Sequence, residues 1–294
     1  MKKPTRDLPS LTLVIGGTGK TGGRVADRLW NAGGPLRLGH RSHVPRFDWA
    51  DARTWPRALA GATAAYVTYH PDLLLPEAAG RVSAFASEAV AAGARRLVLL
   101  SGRGEEGAER AEKALTASGA DWTVIRASWF MQNFSEGDFA PALAEGTLTL
   151  PVGEIGEPFI DADDIADVVL TVLGDPEYIG KTLELTGPQL LTFGEAVATI
   201  AAAAGRSIVY REVTLDAFAE GLIQSGVSDE MRSLMVELFG TLFDGRNAHT
   251  TNGVEAVLGR PAREFLDFAV AAARSGTWDE PVVELPSRKA ALHS

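Results

Sequence analysis

The chain has 294 residues, 46% of them apolar and 22% charged, enough for one large domain or two modest ones. Lys and Arg total 28 against 38 Asp and Glu, and the net charge of −10 opposes nonspecific attraction to nucleic acid or an anionic membrane surface. There is no cysteine, and the five histidines lack metal-ligand spacing, which excludes thiolate chemistry and Cys-ligated zinc and leaves catalysis to a cofactor or to oxygen and nitrogen groups.

The first half alternates strand and helix. Strand-like apolar runs fall at residues 11–15, 36–38, 62–69, 96–101 and 122–126, with a short further strand expected at 45–47. The clearest intervening helix spans 77–92, where Val82, Phe85, Ala86, Ala89 and Val90 keep the i, i+3, i+4 spacing until Gly93 ends it. Such alternation predicts an α/β fold, a doubly wound parallel sheet covered on both faces. Past residue 150 the pattern loosens and a smaller α+β lobe is expected. A helix begins at Asp161, an N-cap candidate followed by Asp163 and Asp164 in the first turn and a buried stripe of Ile165, Val168, Val169, Val172 and Leu173. Carboxylates at a helix start complement its dipole, so the triplet reads as capping and no metal is expected. Strands at 182–185 and 208–213 mix with helices at 193–203, 215–223, 229–242 and 262–274, and the tail from Glu280 reads as disordered. The expected division is 1–150 for the sheet domain and 151–294 for the second lobe, with 161–187 returning to the first. The basic start Met1-Lys2-Lys3 leads only to a short glycine-broken run, so neither a secretory signal nor a membrane span is expected and the setting reads as cytoplasmic.

Directly after the first strand the chain reads Val14-Ile15-Gly16-Gly17-Thr18-Gly19-Lys20-Thr21-Gly22-Gly23, then enters a helix carrying Val25, Leu29 and Trp30. A nucleoside-triphosphate loop requires glycine five residues before its Gly-Lys pair, and that position is Val14, inside the strand. Gly16, Gly19 and Gly22 instead fit a tight turn, close backbone approach to a pyrophosphate, and close packing of helix on strand. With Thr18, Lys20 and Thr21 they predict a dinucleotide site. An NAD-selective protein places a carboxylate roughly 20 residues on, to accept from the ribose 2′-hydroxyl. Here that stretch is Leu36-Arg37-Leu38-Gly39-His40-Arg41-Ser42, with none. Arg41 can fork onto a 2′-phosphate, with Ser42 and Lys20 assisting, so NADP(H) is expected over NAD(H). Asp48 lies too far along for the ribose and is assigned to the adenine amino group.

These glycines, then Gly93-Ala94-Arg95-Arg96-Leu97-Val98-Leu99-Leu100-Ser101, Ser118-Gly119-Ala120-Asp121-Trp122-Thr123-Val124-Ile125-Arg126, Phe130-Met131-Gln132-Asn133-Phe134 and Phe159-Ile160-Asp161-Ala162-Asp163-Asp164-Ile165-Ala166 resemble the NmrA-like family of atypical short-chain dehydrogenases/reductases. Leu258-Gly259-Arg260 extends the match to nearly the whole chain. The resemblance implies an NADP-binding Rossmann domain with a small C-terminal substrate domain, in a family of quinone, azo-dye and related reductases that also includes redox-sensing regulators without turnover. Short-chain dehydrogenases generally protonate the nascent alkoxide with a Tyr activated by a Lys four positions on. None of Tyr66, Tyr69, Tyr178 or Tyr210 has Lys at that spacing. The segment that usually bears the dyad carries a charge run, Glu105 to Lys113, which reads mainly as an exposed helix face, although Glu112 resembles the family's recurrent Glu.

Ligands of open α/β sheets lie at the carboxyl ends of the strands. Thr68, Tyr69 and Ser101 are assigned there to the cofactor. Arg103, Ser128, Trp129, Phe130 and Phe159 are assigned to an aromatic-lined pocket for a flat substrate, and Phe134 to the core. His70 and Asn133 are candidates for catalysis, His70 because imidazole titrates near neutrality. The expected function is an NADPH-dependent oxidoreductase that reduces a hydrophobic, aromatic carbonyl or quinone-like small molecule by direct hydride transfer. The alternatives are a non-catalytic NADP(H) sensor acting through a protein partner, motivated by the missing dyad, and an isomerase or lyase without net redox change. Neither nucleic acid nor membrane is an expected partner, and a homo-oligomer is compatible.

Overall fold

The computed structural model describes residues 7–137 and 139–279; the predicted tail from Glu280 lies outside them. The first half runs β1 (Thr12–Ile15), α1 (Lys20–Asn31), β2 (Leu36–Gly39), α2 (Trp55–Leu59), β3 (Ala64–Val67), α3 (Ala78–Ala91), β4 (Arg96–Gly102), α4 (Glu106–Thr116) and β5 (Asp121–Ala127). After these come α5 (Phe139–Ala144), β6 (Thr147–Leu150), α6 (Ala162–Leu173), β7 (Lys181–Leu185), α7 (Phe193–Ala204), β8 (Val209–Glu212), α8 (Leu215–Gln224), α9 (Asp229–Leu242), α10 (Gly253–Leu258) and α11 (Phe265–Arg274).

Six strands form a parallel sheet in the order β2-β1-β3-β4-β5-β7. The strands are apolar throughout because successive side chains point to opposite faces and both faces are covered. Leu13, Ile15, Leu97 and Leu99 pack with Trp55, Val82, Phe85 and Leu115 on one side. Val14, Val98 and Ile125 pack on the other with Val25 and Leu29 of α1 and Ile165 and Val169 of α6. Residues 161–187 thus contribute α6 to a face of this sheet and β7 to its edge. A third cluster, centred on Phe134, Phe159, Phe193, Phe265 and Trp278, is built around the two-stranded parallel sheet of β6 and β8. Leu148 and Leu150 of β6 belong to this cluster, although they precede the expected boundary at 150.

The strand expected at 45–47 does not form, and β2 ends the sheet. Pro45 has no N–H for a ladder. Phe47 is instead buried as an anchor, its ring centroid 5.3 Å from Trp49 and 5.7 Å from Phe85. The helix expected at 262–274 starts at Phe265, and α10 precedes it. Asp161 caps α6 by accepting from Asp163 N at 2.7 Å. Its neighbours have separate partners: Asp163 pairs with Arg24 and Arg28, and Asp164 with Arg260 and Arg263. The triplet therefore caps α6 and ties it to α1 and to the segment before α11. No helix among the described residues is long and apolar enough to cross a membrane.

Candidate active site

Close backbone packing shapes the glycine loop. Gly16 has a φ of 68°, and a Cβ there would lie 2.5 Å from the Thr68 hydroxyl. A Cβ on Gly22 would collide with the Gly16 carbonyl oxygen, so α1 can start this close to β1 only with glycine at that position. Thr68 Oγ1 donates to the Ile15 carbonyl at 3.0 Å and ties the tip of β3 to the loop. Gly19 is the N-cap of α1 and makes no side-chain bond, which leaves the first-turn amides of Thr21 and Gly22 without an intrahelical acceptor. These amides, the helix dipole and the glycine cradle fit the negative charge of a pyrophosphate. Lys20 Nζ donates to Asn133 Oδ1 at 2.7 Å, so Asn133 positions the lysine beside the loop.

Beyond β2, Arg41 and Ser42 are exposed, and Ser42 Oγ lies 2.8 Å from His40 Nδ1. Asp48 is engaged within its own loop, where its carboxylate accepts from Ala50 N at 3.0 Å and from Arg46 at 2.5 Å.

On the other side of the glycine loop a cavity of about 550 Å³ opens at the carboxyl ends of β3, β4 and β5. Thr68, Tyr69, Ser101, Arg103, Ser128, Trp129, Phe130 and Asn133 line it together with Lys20. The opposing wall is α9, through Met231, Leu234, Met235, Leu238 and Phe239. Trp129 stacks on Phe139 at 6.3 Å and lies 5.3 Å from Phe239. Arg103, only 4% exposed, is held by Glu184 at 3.4 Å, the Asn247 carbonyl at 3.2 Å and His249 Nε2 at 2.6 Å. Behind the strand tips, buried Glu112 accepts from Ser101 Oγ at 2.6 Å and from Arg126 Nη2 at 2.6 Å, and it does not line the cavity.

Two expected site residues lie elsewhere. His70 is exposed and outside the cavity lining, although Tyr69 and Pro71 on either side of it contribute to that lining. Phe159 is 2% exposed in the third cluster, 5.2 Å from both Phe134 and Phe193, and is core rather than pocket wall. Tyr178 and Lys181 sit at the start of β7, which aligns with the start of β5, so they are at the opposite end of the sheet from the cavity. Tyr69 lines the cavity, but burial pushes its hydroxyl up from the ordinary value, the reverse of an activated phenol.

Three carboxyl groups were missed. Asp72, Glu105 and Glu157 all line the cavity. Burial pushes Glu157 up to about 7, although its carboxyl accepts from Trp129 N at 3.1 Å. Burial, then the charges of Asp72 and Glu112, push Glu105 up to about 8. Burial, with Glu237 of α9 adding to it, also raises Asp72. The sequence carried one usable signal for the missed wall: Met231, Leu234, Met235, Leu238, Phe239 and Leu242 form a helical stripe with two methionines, a composition suited to adaptable binding surfaces.

The NmrA-like family model matches residues 109–270, more than half the chain. The chain belongs to the NmrA-like family. The resemblance read from the sequence therefore holds. The NAD(P)H azoreductase of Xenophilus azovorans is 30% identical over 283 residues, covering 89% of this chain and 97% of its own. The NADPH-dependent quinone oxidoreductase of Escherichia coli, complexed with NADPH, aligns with a TM-score of 0.75 at 18% identity, covering 89% of this chain and 99% of its own. For Citrobacter sp. triphenylmethane reductase complexed with NADP(H), the TM-score is 0.69 at 17% identity, with 90% and 99% covered. At these identities the structural likeness speaks for the fold. This NmrA-like chain is an NAD(P)-binding protein of Rossmann type.

Proposed function

We propose that this NmrA-like protein is an NADPH-dependent reductase of a flat, hydrophobic aromatic carbonyl or quinone-like compound. NAD(P)H-dependent oxidoreductase is the coarser statement, and it follows from family membership and the glycine loop. The observation that carries the finer reading is the cavity at the tips of β3, β4 and β5, walled by Trp129, Phe130, Phe139, Phe239, Met231 and Met235. It lies on the side of the loop away from β2, where the nicotinamide end of a dinucleotide laid across the strand ends belongs. When bound, the cofactor supplies the hydride.

The chain's own residues bind, orient and exclude water. The loop from Gly16 to Gly22 holds the pyrophosphate, with Lys20 beside it. Arg41 and Ser42 would hold a 2′-phosphate, which would favour NADP(H), and Asp48 would take the adenine amino group. Thr68, Tyr69 and Ser101 face the nicotinamide half. Arg103, Ser128, Trp129 and Phe130 face the acceptor under α9. Asn133 is a positioning residue for Lys20. In domain terms, residues 1–150 with 161–187 serve the dinucleotide and the remainder serves the acceptor. The azo, quinone and triphenylmethane reductases among the relatives support an aromatic acceptor.

The test is NADPH oxidation against a panel of quinones and aromatic ketones, with steady turnover expected for at least one class. Tight NADP(H) binding with no turnover across the panel would replace the reductase with a sensor acting through a protein partner.

A further inference from the structure

The carboxyl group of Glu105 lies over the Cα of Gly102, at the tip of β4. A Cβ on that glycine would collide with the Glu105 carboxyl atoms, so a glycine is required to leave the group its place. Glu105 is the N-cap of α4 with extended backbone, yet its side chain makes no bond to the helix amides. It has no side-chain hydrogen bond among the described residues and faces the cavity alongside Tyr69 and Trp129. A carboxylate without partners in an apolar cavity is unfavourable, whereas the neutral acid keeps an O–H to donate.

We propose that Glu105 is the proton donor to the reduced acceptor, and that this suits the cavity to neutral carbonyl and quinone compounds, whose oxygen becomes basic on taking hydride. The proposal rests on the reductase reading above. For a ketone, the carbonyl carbon gains the hydride from NADPH as a new C–H bond, and the C=O π pair moves onto oxygen. That oxygen bonds the Glu105 proton as the carboxyl O–H breaks. NADP⁺ and an alcohol leave, and water reprotonates the carboxylate, so each turnover consumes one NADPH and one proton.

The charges facing Glu105 come from every side of the cavity. Asp72 follows β3, Glu112 is on α4, and Glu157 precedes α6. Glu237 of α9 acts through Asp72. The nearby cations are engaged elsewhere: Arg103 with Glu184, the Asn247 carbonyl and His249, and Lys20 with Asn133. These surroundings keep Glu105 protonated up to about 8. Glu157 also lines the cavity, but it is held in place by the bond its Oε1 accepts from the Trp129 amide, whereas Glu105 has no such contact.

The experiment compares wild type with Glu105→Gln on two acceptors, a naphthoquinone and a triarylmethyl cation. The cation becomes neutral on taking hydride and needs no proton. For the naphthoquinone, kcat/KM should fall about 100-fold in the variant, and the wild-type decline above about pH 8 should disappear. For the cation the fall should be under about tenfold. NADP affinity within about twofold of wild type shows that the variant is folded. A readout independent of turnover is 13C-carboxyl NMR of the cofactor-free protein, in which one carboxyl should titrate at about 8 and be lost in Glu105→Gln. Equal naphthoquinone kcat/KM in both proteins, or a Glu105 carboxyl titrating in the ordinary range, overturns the donor role and leaves the reductase reading standing. No turnover of either acceptor by wild type, with the carboxyl still titrating near 8, removes the reductase reading and the donor role with it.

Discussion

The two ends of the candidate site are made of different material. The phosphate end is mostly backbone: the loop from Gly16 to Gly22 and the first turn of α1, a single stretch of chain shaped by glycines and by a helix start that no side chain caps. The acceptor end is side chain, drawn from the tips of β3, β4 and β5, the segment before α6, and α9. The difference teaches where each end is vulnerable. The first tolerates no added atom at Gly22, where a Cβ meets fixed backbone, while the second tolerates changes of shape at a price set by packing and charge.

The sharpest break is Gly22→Val. Its side chain meets the Gly16 backbone rather than a movable group, so NADPH affinity should fall about 100-fold or more, read by calorimetric titration. Glu112→Ala should act on the acceptor end through stability. It strips Ser101 and the partly exposed Arg126 of their buried partner, and chemical denaturation should show a loss of about 2–3 kcal/mol. Glu157→Gln tests the buried charge. The folded state holds this proton to a higher pH than the unfolded chain does, so wild-type stability should fall as pH rises from the ordinary carboxyl range through about 7. The variant should escape that fall, gaining on the order of 2 kcal/mol over wild type between about pH 5 and about pH 8. Phe239→Ala, which opens the α9 wall beside Trp129, should raise KM for an aromatic acceptor about tenfold and leave NADPH affinity unchanged. The smallest effect belongs to Arg41→Ala, an exposed cation: NADP affinity should drop about fivefold with NAD affinity unmoved. An equal drop for both dinucleotides would remove Arg41 from the 2′-phosphate.

The same contrast explains what was legible. Strand and helix periodicity located β1, β4, α3 and α9 to within a residue or two, because each must present an apolar face at a fixed period. Residues 45–47 misled because Phe47 is buried as an aromatic anchor, and burial alone does not distinguish a strand from a loop plug. His70 misled for a related reason: its position after a strand placed it near the site, but its side chain is exposed outside the cavity lining. Glu105 was hidden in a charge run whose other members read as a solvated helix face, and only the fold sets its carboxyl against Gly102 at the end of β4 and on the cavity wall.

The sequence by itself determined the glycine loop, the parallel sheet and the family, because each is written in neighbouring residues and in short-range backbone sterics. The tertiary structure alone decided that α9 closes the pocket, that Arg103 is clamped by residues near 184 and 247, and that Asp72, Glu105 and Glu157 share one cavity. The three carboxyl residues span 85 positions, from Asp72 to Glu157, and a carboxyl's protonation depends on what surrounds it, which only packing supplies.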